Sequence, residues 1–204
     1  MASVKSRREM YAEATRAALI EAATELFTRH GFAGTSLEDV AAAAQVTRGA
    51  VYHHFAGKQA LFEAVLDEQE LHMTKRISTA VAQHDDPWEG SIAAIDVFLD
   101  LCCDPVYSKI VWQEGPTALG LARWHECEEK YAYGLVEASI NALIEAGYLE
   151  RKAVDTTIRF AFQIFGAAGM TLADTPAAEK PRVRDECADV MRRMLAGLRV
   201  PEAR

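Results

Sequence analysis

Residues 35–55 read TSLEDVAAAAQVTRGAVYHHF and run straight into Ala56, Gly57 and Lys58. Thr35 is a favoured N-cap, and Glu38 three positions on completes a capping box, so a helix is predicted to start there. Leu37, Val40, Ala41 and Ala44 recur at helical spacing and form one apolar stripe. The small alanines let a second helix cross closely. Gln45-Val46-Thr47 breaks the run, and Thr47 is placed to cap a new helix from Arg48 to about Phe55. Val51 and Phe55 face inward and leave Arg48, Gly49, Ala50, Tyr52 and His53 for another surface. Two helices, a turn of about three residues and a polar second helix make a helix-turn-helix, whose second helix enters the major groove. A helical hairpin within an ordinary α-domain is the plain alternative.

The flanks argue against that alternative. Upstream, Arg16 to Ala23 leads through Leu26-Phe27 to a stop at Gly31-Phe32, and downstream comes Gly57-Lys58-Gln59-Ala60-Leu61-Phe62. With these flanks the segment resembles the DNA-binding domain of the TetR family of bacterial transcription regulators. The resemblance rests on Leu19, Ile20, Ala23, Phe27, Gly31, Phe32, Thr35, Val40, Ala41, Val46, Tyr52, Phe55, Lys58, Leu61 and Phe62. It is ungapped, and it covers roughly the first quarter to third of the chain.

Composition agrees with an all-α fold. The 204 residues are half apolar, with 12 Gly and 6 Pro too sparse for a β-sandwich. No stretch of about eighteen apolar residues occurs, so no membrane span is expected. The N-terminal Met-Ala-Ser-Val-Lys-Ser-Arg-Arg-Glu lacks the apolar core of a secretory signal. Cys102, Cys103, Cys127 and Cys187 have neither metal-type nor disulfide-framework spacing, which fits a reducing cytoplasm. The net charge of −8 is unevenly divided. Residues 1–58 hold seven Lys/Arg against six acids, near +1, and leave −9 on the rest. An acidic body repels the duplex except at the basic face, favouring one docking orientation. Lys5, Arg7 and Arg8 are a candidate backbone-following arm, or simply a solvated terminus.

Nine helices are expected: Arg8–His30 closed by Gly31, the two of the helix-turn-helix, and then 58–83, 88–103, 105–113, 121–146, 153–173 and 178–198. Asp85-Asp86-Pro87 stops the fourth, and Glu114-Gly115-Pro116 is expected to turn the chain. The domains are read as 1–57 for DNA binding and 58–204 for effector binding and dimerisation, coupled by the fourth helix. Ile158, Phe162, Phe165 and Gly169 on the eighth helix, with Val183, Val190, Met191, Met194 and Leu198 on the ninth, offer apolar faces. Paired across two subunits they would build a four-helix bundle, which resembles the family's homodimer interface. The alternative is burial within one subunit.

The resemblance implies that Tyr52 and Lys58 grip phosphates, and both side chains are donors. Thr35 and Ser36 are expected to add hydroxyl contacts. Arg48 is the candidate for reading a guanine by two hydrogen bonds. Thr47 is placed for a base or phosphate, Gly49 and Ala50 allow close approach, and His53 is a further donor, with His54 covering the domain. By resemblance, a small-molecule effector pocket lies among the fifth to eighth helices, and a ligand there drives DNA release. Its apolar candidates are Phe98, Cys102, Val106, Tyr107, Ile110, Trp112, Trp124, Tyr131, Phe162 and Phe165; the polar ones are Gln113, His125, Glu128 and Gln163. Such a lining suits a hydrophobic or aromatic ligand. No cofactor or metal is expected: His125 and Cys127, two apart on a helix, do not converge on one ion, and nothing basic in sequence activates Cys102-Cys103. No phosphate loop, nucleophile elbow or dinucleotide fingerprint points to an enzyme. The acidic body argues against unspecific DNA coating.

Overall fold

The computed structural model describes residues 7–200, so Lys5 of the expected arm lies outside the described residues. Among them the chain forms nine helices and no strand. Helix α1 (Arg7–His30) ends where Gly31 takes a left-handed φ of 71°, which a glycine adopts without strain. Helix α2 (Leu37–Ala43) is capped by Ser36, whose hydroxyl accepts from Asp39 N while the Asp39 carboxylate accepts from Ser36 N at 3.0 Å. The expected Thr35–Glu38 box is therefore displaced by one residue. Thr35 is buried and its hydroxyl donates to Gly31 O, which removes it from capping. The turn passes through Gln45 at φ 55°, and Thr47 caps α3 (Arg48–His54) by accepting from Ala50 N.

Helix α4 (Lys58–Val81) belongs to both halves. Leu61, Phe62 and Val65 at its start pack with α1, and Met73 and Ile77 near its end join the core shared with α5 (Pro87–Cys103). Phe27, Phe32 and Phe62 cluster with ring centroids 5.2–5.9 Å apart and anchor the head. One continuous core runs from the head into the body, with a satellite around Ile140, Leu143, Leu149 and Ile158.

Helix α6 covers residues 105–119. Asp104 caps it, a π-helical stretch follows at Ser108–Glu114, and an α-helix resumes at Gly115–Leu119. The expected turn at Glu114-Gly115-Pro116 is absent. Pro116 falls in the first turn of the resumed helix, where a missing N–H is tolerated, and the break comes instead at Gly120. Helix α7 covers residues 121–145 and holds a second π-helical stretch at Glu129–Tyr133. Helices α8 (Val154–Asp174) and α9 (Lys180–Gly197) complete the body, with Arg192 and Arg184 of α9 pairing with Asp96 of α5 at 2.6 and 3.1 Å.

The apolar faces of α8 and α9 divide differently from the expectation. Ile158, Phe162 and Gly169 face their own subunit; a Cβ on Gly169 would lie inside the Trp112 ring. The outward stripe of α8 is Phe160, Gln163 and Met170, while Val190, Met194 and Leu198 form the outward stripe of α9.

Candidate nucleic-acid interface and buried acidic site

Helix α3 shows its polar side to solvent because Val51 and Phe55 are drawn into the head core. Arg48, Gly49, Tyr52 and His53 are exposed on it, Ala50 is half-buried, and Thr47 is exposed at its cap. Arg48 lies 2.9 Å from Glu38 of α2 and donates to the Tyr52 hydroxyl at 3.4 Å. The hydrogen bond to Tyr52 and the Glu38 charge hold its guanidinium firmly protonated. His54 is half-buried, and burial followed by the neighbouring His53 pushes its pKa down. An open groove of about 410 Å³ separates the starts of α2 and α3, lined by Gly34, Ser36, Glu38, Arg48, Tyr52 and Lys58.

Two expected contacts change in kind. The Thr35 hydroxyl is bonded to Gly31 O inside the loop and the residue is buried, although it borders the groove. Lys58 donates to Phe32 O at 2.7 Å and Thr35 O at 2.9 Å, with its ammonium 4.4 Å from the Phe32 ring centroid. Two of its three N–H donors therefore fasten the α1–α2 loop to the start of α4, and one remains.

That loop is also where the body touches the head. Glu114, in the π-helical stretch of α6, accepts from Phe32 N at 2.7 Å and pairs with Lys109 at 2.9 Å. Burial works to raise its pKa, but the bonds from Lys109 and Phe32 outweigh it and leave the carboxyl lowered. Further ties join α7 to α4: Arg123 pairs with Glu63, and Tyr131 and Lys130 both donate to Asp67 at 2.7 and 3.1 Å.

Within the body, Phe98 packs against Trp112 and Phe165, and Trp112 against Trp124, with centroids 5.0–6.2 Å apart. Cys102 and Ile110 are buried among them, Val106 is half-buried, and Phe162 packs on Tyr133. Three polar pocket candidates turn away. Gln113 is exposed and donates to Ala173 O, while His125 and Gln163 lie on outer faces because their helices present Trp124 and Phe162 inward. Glu128 alone of the four is inside. It meets Glu70 of α4, a residue that sequence reasoning overlooked although Leu66, Glu70, Met73 and Ile77 share one helical face. Tyr107 donates to Glu70 Oε1 at 3.1 Å. Burial pushes the Glu70 carboxyl up to about 7, and burial together with Glu70 pushes Glu128 well above the usual range. A separate hollow of about 240 Å³, between α7, α8 and residues 198–200, is lined by none of the pocket candidates.

A solvent-facing recognition helix on a helix-turn-helix, carried by a larger helical body, defines a DNA-binding regulator. The comparisons with known proteins give its family. Residues 19–65 match the model of bacterial regulatory proteins of the tetR family, and residues 88–198 match the tetracyclin repressor-like C-terminal domain. The chain belongs to the TetR family of transcription regulators. It is 29% identical over 157 residues to the transposon Tn10 TetC protein of Escherichia coli, covering 76% of this chain and 77% of that one. It is 42% identical over 80 residues to the HTH-type transcriptional regulator TtgR of Pseudomonas putida, 39% of this chain and 37% of that one. A TetR-family regulator structure from Pectobacterium atrosepticum superposes with a TM-score of 0.83 at 26% identity, covering 96% of this chain and 98% of that one. No helix among the described residues is long and apolar enough to cross a membrane.

Proposed function

We propose that the chain is a repressor that binds a palindromic double-stranded operator as a homodimer in the cytoplasm and leaves it when a small molecule enters the body. The observation that carries this reading is the exposed Arg48–Tyr52 pair on α3, held by contacts that DNA can replace. An exposed ion pair is worth less than about fivefold in any equilibrium. A bidentate arginine–guanine contact discriminates by on the order of ten- to a hundredfold. Exchanging Glu38 for guanine is thus favourable. Tyr52 and the remaining Lys58 donor serve phosphates, assisted by Ser36, Thr47 and His53, while Gly49 and Ala50 admit the base edges.

The outward stripes of α8 and α9 supply the dimer surface, and Phe160 at 65% exposed is their largest member. Gln163 belongs to this surface. The sequence-derived split at residue 57/58 is kept as the functional division, with effector binding and dimerisation in the second part. Release is transmitted through Glu114, because any movement of α6 alters its bond to Phe32 and hence the loop that Lys58 fastens. A ligand need only bind the released state better than the DNA-bound state. Selection of bound duplexes from a random pool tests the reading. Two inverted half-sites about one helical turn, ~34 Å, apart are expected; diffuse binding without a motif would overturn it.

A further inference from the structure

Two acidic side chains from different helices meet in the body core. Glu70 is fully buried and Glu128 is 7% exposed. The two carboxyls hydrogen-bond to each other, which leaves Glu70 Oε2 and Glu128 Oε1 without a further partner. Orphaned buried polar atoms are uncommon in native proteins and point to a missing partner. The titratable groups bearing on the pair, Asp67 of α4, Cys102 of α5 and Tyr107 of α6, are themselves acids. The backbone supplies a second, independent observation. The π-helical stretch of α6 begins one residue after Tyr107, and that of α7 begins one residue after Glu128. Such widened turns are rare and concentrate at functional sites. Both α6 and α7 therefore carry such a turn beside the acidic pair.

We propose that Glu70, Glu128 and Tyr107 are the charged end of the effector site, and that they take an organic cation with N–H donors on an aromatic body. This rests on the effector reading above. The unanswered oxygens want donors, which an ammonium or amidinium provides and a purely hydrophobic ligand does not. Phe98, Trp112 and Trp124 pack on one another in the same core, and rings of this kind suit an aromatic body and attract a cation where a ligand parts them. A hard divalent ion fits less well, since it takes six or more oxygen ligands and two carboxyls with one phenol are present. In the empty protein the pair holds protons; cation binding returns at least one to solvent. Entry between α6 and α7 would move the helix whose Glu114 holds the head.

The test compares two probes of one shape, 1-naphthylmethylammonium and the neutral 1-naphthylmethanol, by titration calorimetry on the full DNA-free chain near pH 7. The amine is expected to bind at least about tenfold tighter than the alcohol, with proton release read from buffers of different ionisation enthalpy. The E70Q/E128Q double variant is expected to bind both alike. If that variant does not fold, Glu128→Gln alone should still lose most of the preference and the proton release. Equal binding of the two probes, no amine binding at low millimolar concentration, or a preference that survives these substitutions overturns the proposal. So does displacement of the amine by magnesium. A charge-selective amine that leaves the operator complex intact supports the site and overturns only its effector role; loss of operator selectivity in the ligand-free protein strikes the regulator reading alone.

Discussion

In the head, Arg48 is paired with Glu38 and Tyr52, Ser36 with Asp39, and Lys58 with two carbonyls, all around an open groove. In the body, Glu70 and Glu128 lie in the core with one oxygen each unanswered. The head's charged side chains are paired around that groove, over a core of close-packed Phe, Leu and Val. The body carries its polar groups where solvent cannot relieve them, flanked by two helical irregularities. One region carries its charge at the surface and the other in its core. Helix α4 joins them, with Phe62 in the first core and Glu70 two turns further on.

Removing a ring from the head core should have the largest effect. Phe62→Ala is expected to lose about 3–5 kcal/mol. Because the core is continuous, a single calorimetric transition should move to lower temperature; two separated transitions would show that head and body melt independently. Next comes the acidic pair. Both carboxyls hold protons more tightly folded than unfolded, so their contribution to stability is full below the ordinary value of 4.5 and is lost as pH rises, for Glu70 through about 7. Glu128→Gln should therefore resist urea better than the parent at pH 8 and match it below pH 4.5. Gly169→Ala pushes a methyl into Trp112 and should cost about 1–3 kcal/mol in the same assay. Glu114→Ala leaves Phe32 N–H without its partner and should cost about 1–2 kcal/mol. In operator-binding titrations it should blunt release by ligand more than it weakens DNA binding itself.

How much was legible in the sequence follows from whether a feature is local. The helix-turn-helix is local: apolar spacing, Thr47 and the glycine stop at Gly31 specify it within a short window, and the exposed face of α3 follows from Val51 and Phe55. The cap of α2 falls one residue later than the sequence predicts because Thr35 and Ser36 are equivalent as types; the bond from Thr35 to Gly31 O separates them only in the folded loop. Pro116 reads as a breaker until the widened turns before it are known. Glu114–Phe32 joins residues 82 apart in sequence, and no spacing rule reaches that far. Glu70 was the exception, since a glutamate on the stripe of Leu66, Met73 and Ile77 is a local conflict and its burial was readable. On α8, the division of one helix between core and outer face depended on where α6 packs, which the Trp112–Gly169 contact decides.

The most direct test of the account is made on the recognition helix. Duplexes selected by the parent chain are titrated with Arg48→Ala and compared with random duplexes at the same salt concentration. A loss on the order of ten- to hundredfold, that of the bidentate guanine contact, is expected for the selected sequence, with random duplex binding little changed. An Arg48→Ala variant that keeps both the affinity and the preference of the parent would contradict it.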